Sequence, residues 1–167
     1  MIELIFVLAL LAIAAATVAS KMGGFFRGRA LNFEARRMLS LTHYAQSRAV
    51  SEGVPVLLWI DAKGSTYGVT VAAGDNGADG DTRASRFSAE PSITLETPAT
   101  DVVPVSEADD EKLGLPEGQQ AIRFTPDGFY DETSVRKIVL RQGTGAGLEL
   151  VQTANRLGYE IRPATLD

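Results

Sequence analysis

The chain has no cysteine and a single histidine in 167 residues. Without cysteine there is no disulfide, thiol nucleophile, zinc knuckle or lipoprotein anchor. One imidazole also falls short of the two or three that a catalytic metal centre usually takes. Positive charge is scarce as well: Lys+Arg 16 stand against Asp+Glu 21, a formal net charge of −5. That balance counts against a general nucleic-acid binder, because phosphate neutralisation needs clustered Lys and Arg. Most signatures of an enzyme are therefore missing. The length suits one domain plus an appendage, and a globular chain near this size buries roughly 68–70% of its surface, enough for a real core.

The charge is segregated along the chain. Residues 1–19 sum to −1, residues 20–53 to +4 and residues 54–167 to −8. The first of these segments is almost wholly apolar: Leu4 to Ala16 is uninterrupted, and Thr17, Val18 and Ala19 extend it to 16 residues. At 1.5 Å per residue that helix covers about 24 Å, slightly short of the ~20 residues that span a bilayer core. A cleaved signal peptide would want a positive segment ahead of its apolar run, and here Glu3 takes that place. A membrane helix over residues 1–20 is the expected reading, ahead of a signal peptide or a buried core helix.

Gly23, Gly24 and Gly28 follow. Each costs on the order of 1 kcal/mol against Ala in a helix interior, so a flexible or partly melted joint is expected there. From Arg29 the residues Leu31, Ala35, Met38, Thr42, Ala45 and Ala49 recur at spacings of 4, 3, 4, 3 and 4, one stripe of an α-helix. Arg36, Arg37 and Arg48 are placed off that stripe. Gly53 suits a helix C-terminal cap, and Pro55 holds Val54 extended, so an amphipathic stalk over 21–53 should end there. If the two helical segments are continuous they make a rod of about 75 Å.

Beyond Pro55 the period becomes that of strands. Val56–Ile60 and Thr66–Ala72 flank Asp61-Ala62-Lys63-Gly64, a hairpin turn. Further strands are expected at Ser92–Thr97, Gln120–Thr125, Val135–Arg141, Leu148–Gln152 and Tyr159–Arg162. Turns are expected at Pro126-Asp127-Gly128 and Gly143-Thr144-Gly145. The predicted fold class is α+β: a long N-terminal helix, half anchor and half amphipathic, packed on an antiparallel β-sheet or β-sandwich head over 54–167.

An acidic side chain at the start of an apolar helix is costly in lipid and calls for a partner charge. Ile2-Glu3-Leu4 followed by an alanine- and leucine-rich run resembles the start of mature type IV pilins and type II secretion pseudopilins. In that family the acid meets the N-terminal amine of the neighbouring subunit, which implies a filament-assembly role for Glu3. Ala35-Arg36-Arg37 through Ala45-Gln46-Ser47-Arg48-Ala49-Val50, then Gly53-Val54-Pro55-Val56, is similar to the helix-to-strand passage of the GspH and FimT branch. Ile122-Arg123-Phe124-Thr125-Pro126-Asp127-Gly128 and Gly158-Tyr159-Glu160-Ile161 resemble its later strands. The family's basic leader, its glycine and its Phe-Thr do not precede Glu3, and a start upstream of Met1 is expected.

Other clusters invite chemistry. Gly74 to Asp81 is rich in hard oxygen ligands, but an EF-hand alignment puts Gly77 at position 3 and Arg86 at position 12, where oxygen ligands belong. A solvated turn is the better reading, with an irregular calcium site as the alternative. Glu107, Asp109, Asp110 and Glu111 read as a solvated loop between strands, with a docking surface for a basic partner as the alternative. His43 has Ser40 and Ser47 on one helical face but no acid of a triad, so it is expected to pack against the sheet. Trp59 and Tyr67 are expected in the core.

The resemblance implies a structural minor pseudopilin of a type II secretion system, not an enzyme and without cofactors. It would be a single-pass inner-membrane protein with its head in the periplasm. Its partners would be other pseudopilins or pilins through the N-terminal helix, the inner-membrane assembly platform and membrane lipid. A FimT-like minor pilin concerned with adhesion or DNA uptake is the alternative, and a membrane-tethered periplasmic enzyme or binding protein a second. The acidic head and the balanced segment Asn155–Asp167 favour secretion over DNA uptake.

Overall fold

In the computed structural model, residues 2–72, 81–98, 119–143, 147–155 and 157–164 are described, with the backbone alone for Ile2 and residues 17–27. The element order is α1 (Ile2–Glu52), β1 (Val56–Asp61), β2 (Thr66–Val71), β3 (Ser85–Ser88), β4 (Ile93–Glu96), β5 (Gln120–Phe124), β6 (Lys137–Gln142), β7 (Gly147–Gln152) and β8 (Tyr159–Pro163). The chain divides into two compact units, Met1–Ala30 and Leu31–Asp167.

The helix is a single element: the backbone at Gly23 to Gly28, where a flexible or partly melted joint is expected, is assigned as helix throughout. Three glycines weaken a helix without forbidding it, because Gly adopts helical φ/ψ at an entropic cost alone. At the other end the expected stop is found. Gly53 takes φ +68° and its N–H bonds back to the Ala49 carbonyl at 3.0 Å, a left-handed C-terminal cap.

Within the second unit the whole six-residue stripe is buried. Leu31, Ala35, Met38, Thr42, Ala45 and Ala49 are each at most 2% exposed. Thr42 satisfies its hydroxyl on the Leu39 carbonyl at 2.7 Å, which lets a polar residue sit in an apolar seam. Four of the six are Ala or Thr, and Met38 is the largest side chain of the stripe. Truncating Met38 to Ala would cost about 2–5 kcal/mol.

The strands form two four-stranded antiparallel sheets, ordered β3-β2-β1-β5 and β4-β6-β7-β8. Register brings Leu58, Val69 and Ile122 into one row and Ile60 and Tyr67 into the next, on one face of the first sheet. These five side chains are at most 1% exposed. Ile93, Leu95, Ile138, Leu140 and Leu150 supply the buried face of the second sheet. The link from β5 to β6 joins the two. Tyr130 bridges back to Phe124 and lies 5.6 Å, ring to ring, from Tyr159, whose hydroxyl donates to the Val135 carbonyl.

Seven strands match those expected. The eighth, β3, was not anticipated. Ser85-Arg86-Phe87-Ser88 has one large apolar residue in four positions, and it forms because Tyr67 and Phe87 pair across strands with rings 5.9 Å apart. Gly128, which closes the first expected turn, takes φ +85°, and Gly143, which opens the second, takes φ +59°. Residues 144–146 lie outside the described residues, as do 73–80 and the acidic run Glu107–Glu111.

Candidate assembly site

Glu3 lies in the first turn of α1, where a carboxylate complements the positive end of the helix dipole, and its side chain is exposed. Eight large apolar side chains between Leu4 and Ile13 follow it, each 54–68% exposed. A helix that is apolar all round needs lipid or other helices about it, and water is a poor solvent for a continuous apolar surface of this kind. Among the described residues no helix is long and apolar enough to cross a membrane.

In the second unit two polar clamps fix the helix on the first sheet. The first is built on Glu34, 3% exposed, which accepts a hydrogen bond from the Tyr67 hydroxyl. Arg37, one turn on, brings Nη1 to 3.8 Å of Glu34 and lays its guanidinium 4.2 Å from the Phe87 ring centre and 5.8 Å from that of Tyr67. Burial first, then the hydrogen bond with Glu34, pushes the Tyr67 hydroxyl well above its ordinary range, so Tyr67 acts as a neutral donor.

The second clamp is larger. Arg48 Nη2 and Nη1 meet Asp81 Oδ1 and Oδ2 at 2.6 and 3.1 Å, and Arg48 Nε reaches both Glu52 oxygens at 3.0 and 3.1 Å. Arg83 Nη1 closes on Glu52 at 2.7 Å. Asp81 accepts further bonds from the amides of Val71 and Arg83 at 2.9 and 3.0 Å. A buried ion pair repays its desolvation only when its remaining lone pairs are satisfied, and here they are. Burial acting alone would raise the Asp81 carboxyl. The hydrogen bonds from Arg48 and the two amides, with the Arg48 charge, outweigh it and hold the group at about 2. The hydrogen bond to Asp81 pushes Arg48 further up against its own burial, and the bond from Arg48 holds Glu52 low.

Glu34 and Arg48 are separated by about 21 Å of helix, close to four full turns, so both clamps face the sheet. Together they set the rotation and the register of the helix. A third contact pins the far loops: Gln46 Nε2 donates to the carbonyls of Gly128 at 2.6 Å and Leu157 at 3.0 Å.

The remaining candidates fare differently. Arg48 lies off the stripe as read, yet it is buried at its flank. His43 is exposed rather than packed on the sheet, and Ser40 and Ser47 are exposed with it; Ser40 bonds the Arg36 carbonyl. Tyr67 is buried as expected. Trp59 is half-buried, on the face of β1 opposite Leu58 and Ile60; it lies over Gly68 with Arg86 5.7 Å above its ring. Of the Gly74–Asp81 segment only Asp81 is described, and its oxygens are committed to Arg48 and backbone amides. Among the described residues no group of three or more metal-ligating side chains comes together. Arg162 pairs with Glu160, and Arg156 lies outside the described residues.

Glu34 and Arg48 as buried clamp residues escaped the sequence reading. The only available signal was an Arg and a Glu beside an apolar stripe, and the partners Tyr67 and Asp81 are each 33 positions away.

No curated protein matches the chain. Two solved structures of the minor pseudopilin EpsH from the type II secretion system of Vibrio cholerae share its fold. One aligns with TM-score 0.52 at 9% identity over 80% of this chain and 95% of that one. The other aligns with TM-score 0.55 at 12% identity over 83% and 98%. The family described as Type II transport protein GspH matches residues 34–161, from the first clamp residue to the last strand. The chain belongs to the GspH family of type II transport proteins.

Proposed function

We propose that this chain, a GspH-like minor pseudopilin of a type II secretion system, works by packing alone, through its N-terminal helix, into a short periplasmic filament. The observation that carries this reading is the exposed apolar surface from Leu4 to Ile13 on a helix whose other half is clamped to a GspH-family head. Before assembly the apolar half sits in the inner membrane as a single-pass anchor, with the head in the periplasm. In the filament it packs among the helices of other pseudopilins, delivered by the inner-membrane assembly platform. Glu3 neutralises the amine of a neighbouring subunit, so the cost of its charge in an apolar setting is met by a partner. The head contributes rigidity of its own: the clamps at Glu34 and Arg48 hold its sheet at one rotation about residues 31–52 of the helix.

The test is Glu3→Ala in the full chain, expressed with its secretion system. The expected outcome is a folded, membrane-associated protein that fails to enter the filament and leaves secreted proteins in the periplasm. Normal secretion by that variant would remove the role given to Glu3.

A further inference from the structure

The face of the stalk turned away from the sheet is unlike an ordinary solvated helix face. At 100° per residue Phe33, Arg36, Ser40, Tyr44 and Ser47 fall within about 80° of one another, opposite the buried stripe. Phe33 is 68% exposed and Tyr44 44%; Arg36, Ser40 and Ser47 are exposed too. The ridge runs at spacings of 3, 4, 4 and 3, with Ser40 between Arg36 and Tyr44 and Ser47 closing the row. Among the described residues Arg36 has no carboxylate within ion-pairing distance, whereas Arg37 and Arg48 do. The two acids of the stalk do not balance it: Glu34 is buried against Tyr67, and Glu52 is taken by Arg48 and Arg83.

Aromatic and Arg side chains are the types that dominate protein interfaces, and an aromatic ridge at helical spacing is the anchor pattern of a helix laid in a groove. We propose that this ridge docks against an acidic surface of a neighbouring protein subunit. Arg36 would pair with a carboxylate there, and Phe33 and Tyr44 would fill apolar sites on either side. Charge complementarity selects the occupant. The face is cationic with no acid of its own, and the guanidinium fork matches carboxylate geometry. An anionic lipid surface fits less well, because polybasic lipid recognition uses clusters of about 4–8 cations and the cation of this ridge is Arg36. The anchors Phe33 and Tyr44 also lie about 16 Å apart along the helix, a fixed spacing that a fluid headgroup layer does not read. This interface rests on the reading of the chain as a filament subunit and adds to it a contact outside the apolar half of α1.

The test places a photo-activatable benzoylphenylalanine at position 33 or 44 of the full chain, in cells carrying the intact secretion system. The expected product is a protein crosslink whose partner peptide is rich in Asp and Glu. Its yield should fall roughly tenfold in Arg36→Glu, as for loss of an interface hot spot, and return when the facing carboxylate is changed to Lys. Arg36→Gln serves as the second variant, with an intermediate loss and an unchanged thermal midpoint, since the side chain is exposed. Adducts with phospholipid alone, with a peptide lacking acids, or with nothing would overturn the proposal. A yield unaffected by Arg36→Glu would do the same. Glu3→Ala separates the two ideas: normal secretion by Glu3→Ala removes the filament reading, while failed secretion there with normal crosslinking in Arg36→Glu removes this interface alone.

Discussion

Arg48 and Asp81, 33 positions apart, form a two-pronged ion pair at 2.6 and 3.1 Å with side chains only 5% and 2% exposed. The pair joins the last turns of α1 to the segment that leads into β3. Removing one partner leaves the other charged and buried, the expensive case for an interior ion pair. Asp81→Asn should therefore destabilise the fold by about 3–5 kcal/mol, read as a lower thermal midpoint of the full chain in mild detergent. A loss under 1 kcal/mol would mean that water reaches Arg48.

The same pair sets an acid limit. With the folded Asp81 carboxyl at about 2 against an ordinary 3.8, its contribution to stability is fully present above about pH 4 and is lost as pH falls through 2. A depression of this size corresponds to about 2 kcal/mol. Wild-type midpoints should drop between pH 4 and pH 2, and Asp81→Asn should flatten that part of the curve. Parallel curves for the two proteins would dissociate the acid transition from Asp81.

At the first clamp, Tyr67→Phe takes the hydroxyl donor from Glu34 and leaves only Arg37, at 3.8 Å, to face a buried carboxylate. A cost of about 1–3 kcal/mol follows from the unsatisfied acceptor. Glu34→Gln in the Tyr67→Phe background should recover part of it, because a neutral amide is cheaper to bury. Urea unfolding of the two variants distinguishes a clamp from a bystander tyrosine.

Gly68 is required by close approach. A Cβ there would stand 2.0 Å from the Ser85 carbonyl oxygen and 2.6 Å from Trp59 Cζ2. Gly68→Ala should part β3 from β2 and lift the indole, at a cost of at least about 1–3 kcal/mol. Trp59 is the only tryptophan, so its emission should shift to the red. An unchanged spectrum and stability would show that β3 is dispensable.

Much of the fold is legible in the sequence, for reasons that particular residues make plain. The stripe from Leu31 to Ala49 was readable because burial on one helix face imposes a local period, and the Gly53 stop because a left-handed cap favours glycine. Strand β3 was not, since its pairing depends on Tyr67 across the sheet rather than on its own four residues. Arg48 and Glu34 looked like ordinary surface charges because their burial is decided by partners 33 positions away. His43 and Trp59 misled in opposite ways. An aromatic in a strand points to one of two faces, and Trp59 takes the one with Arg86. His43 sits outside the apolar stripe and is exposed. Among the site residues, Glu3 is legible only through family resemblance, as one carboxylate carries no period.

The central claim is that the chain serves type II secretion as a packing subunit that needs its apolar helix. Its most direct test is the amount of secreted protein in the culture medium of a strain lacking this chain, complemented by the full chain or by residues 31–167 with an exported signal. The account predicts that deletion holds the secreted proteins in the periplasm, that the full chain restores their release, and that residues 31–167 do not. Undiminished release in the deletion strain, or full restoration by residues 31–167, would contradict it.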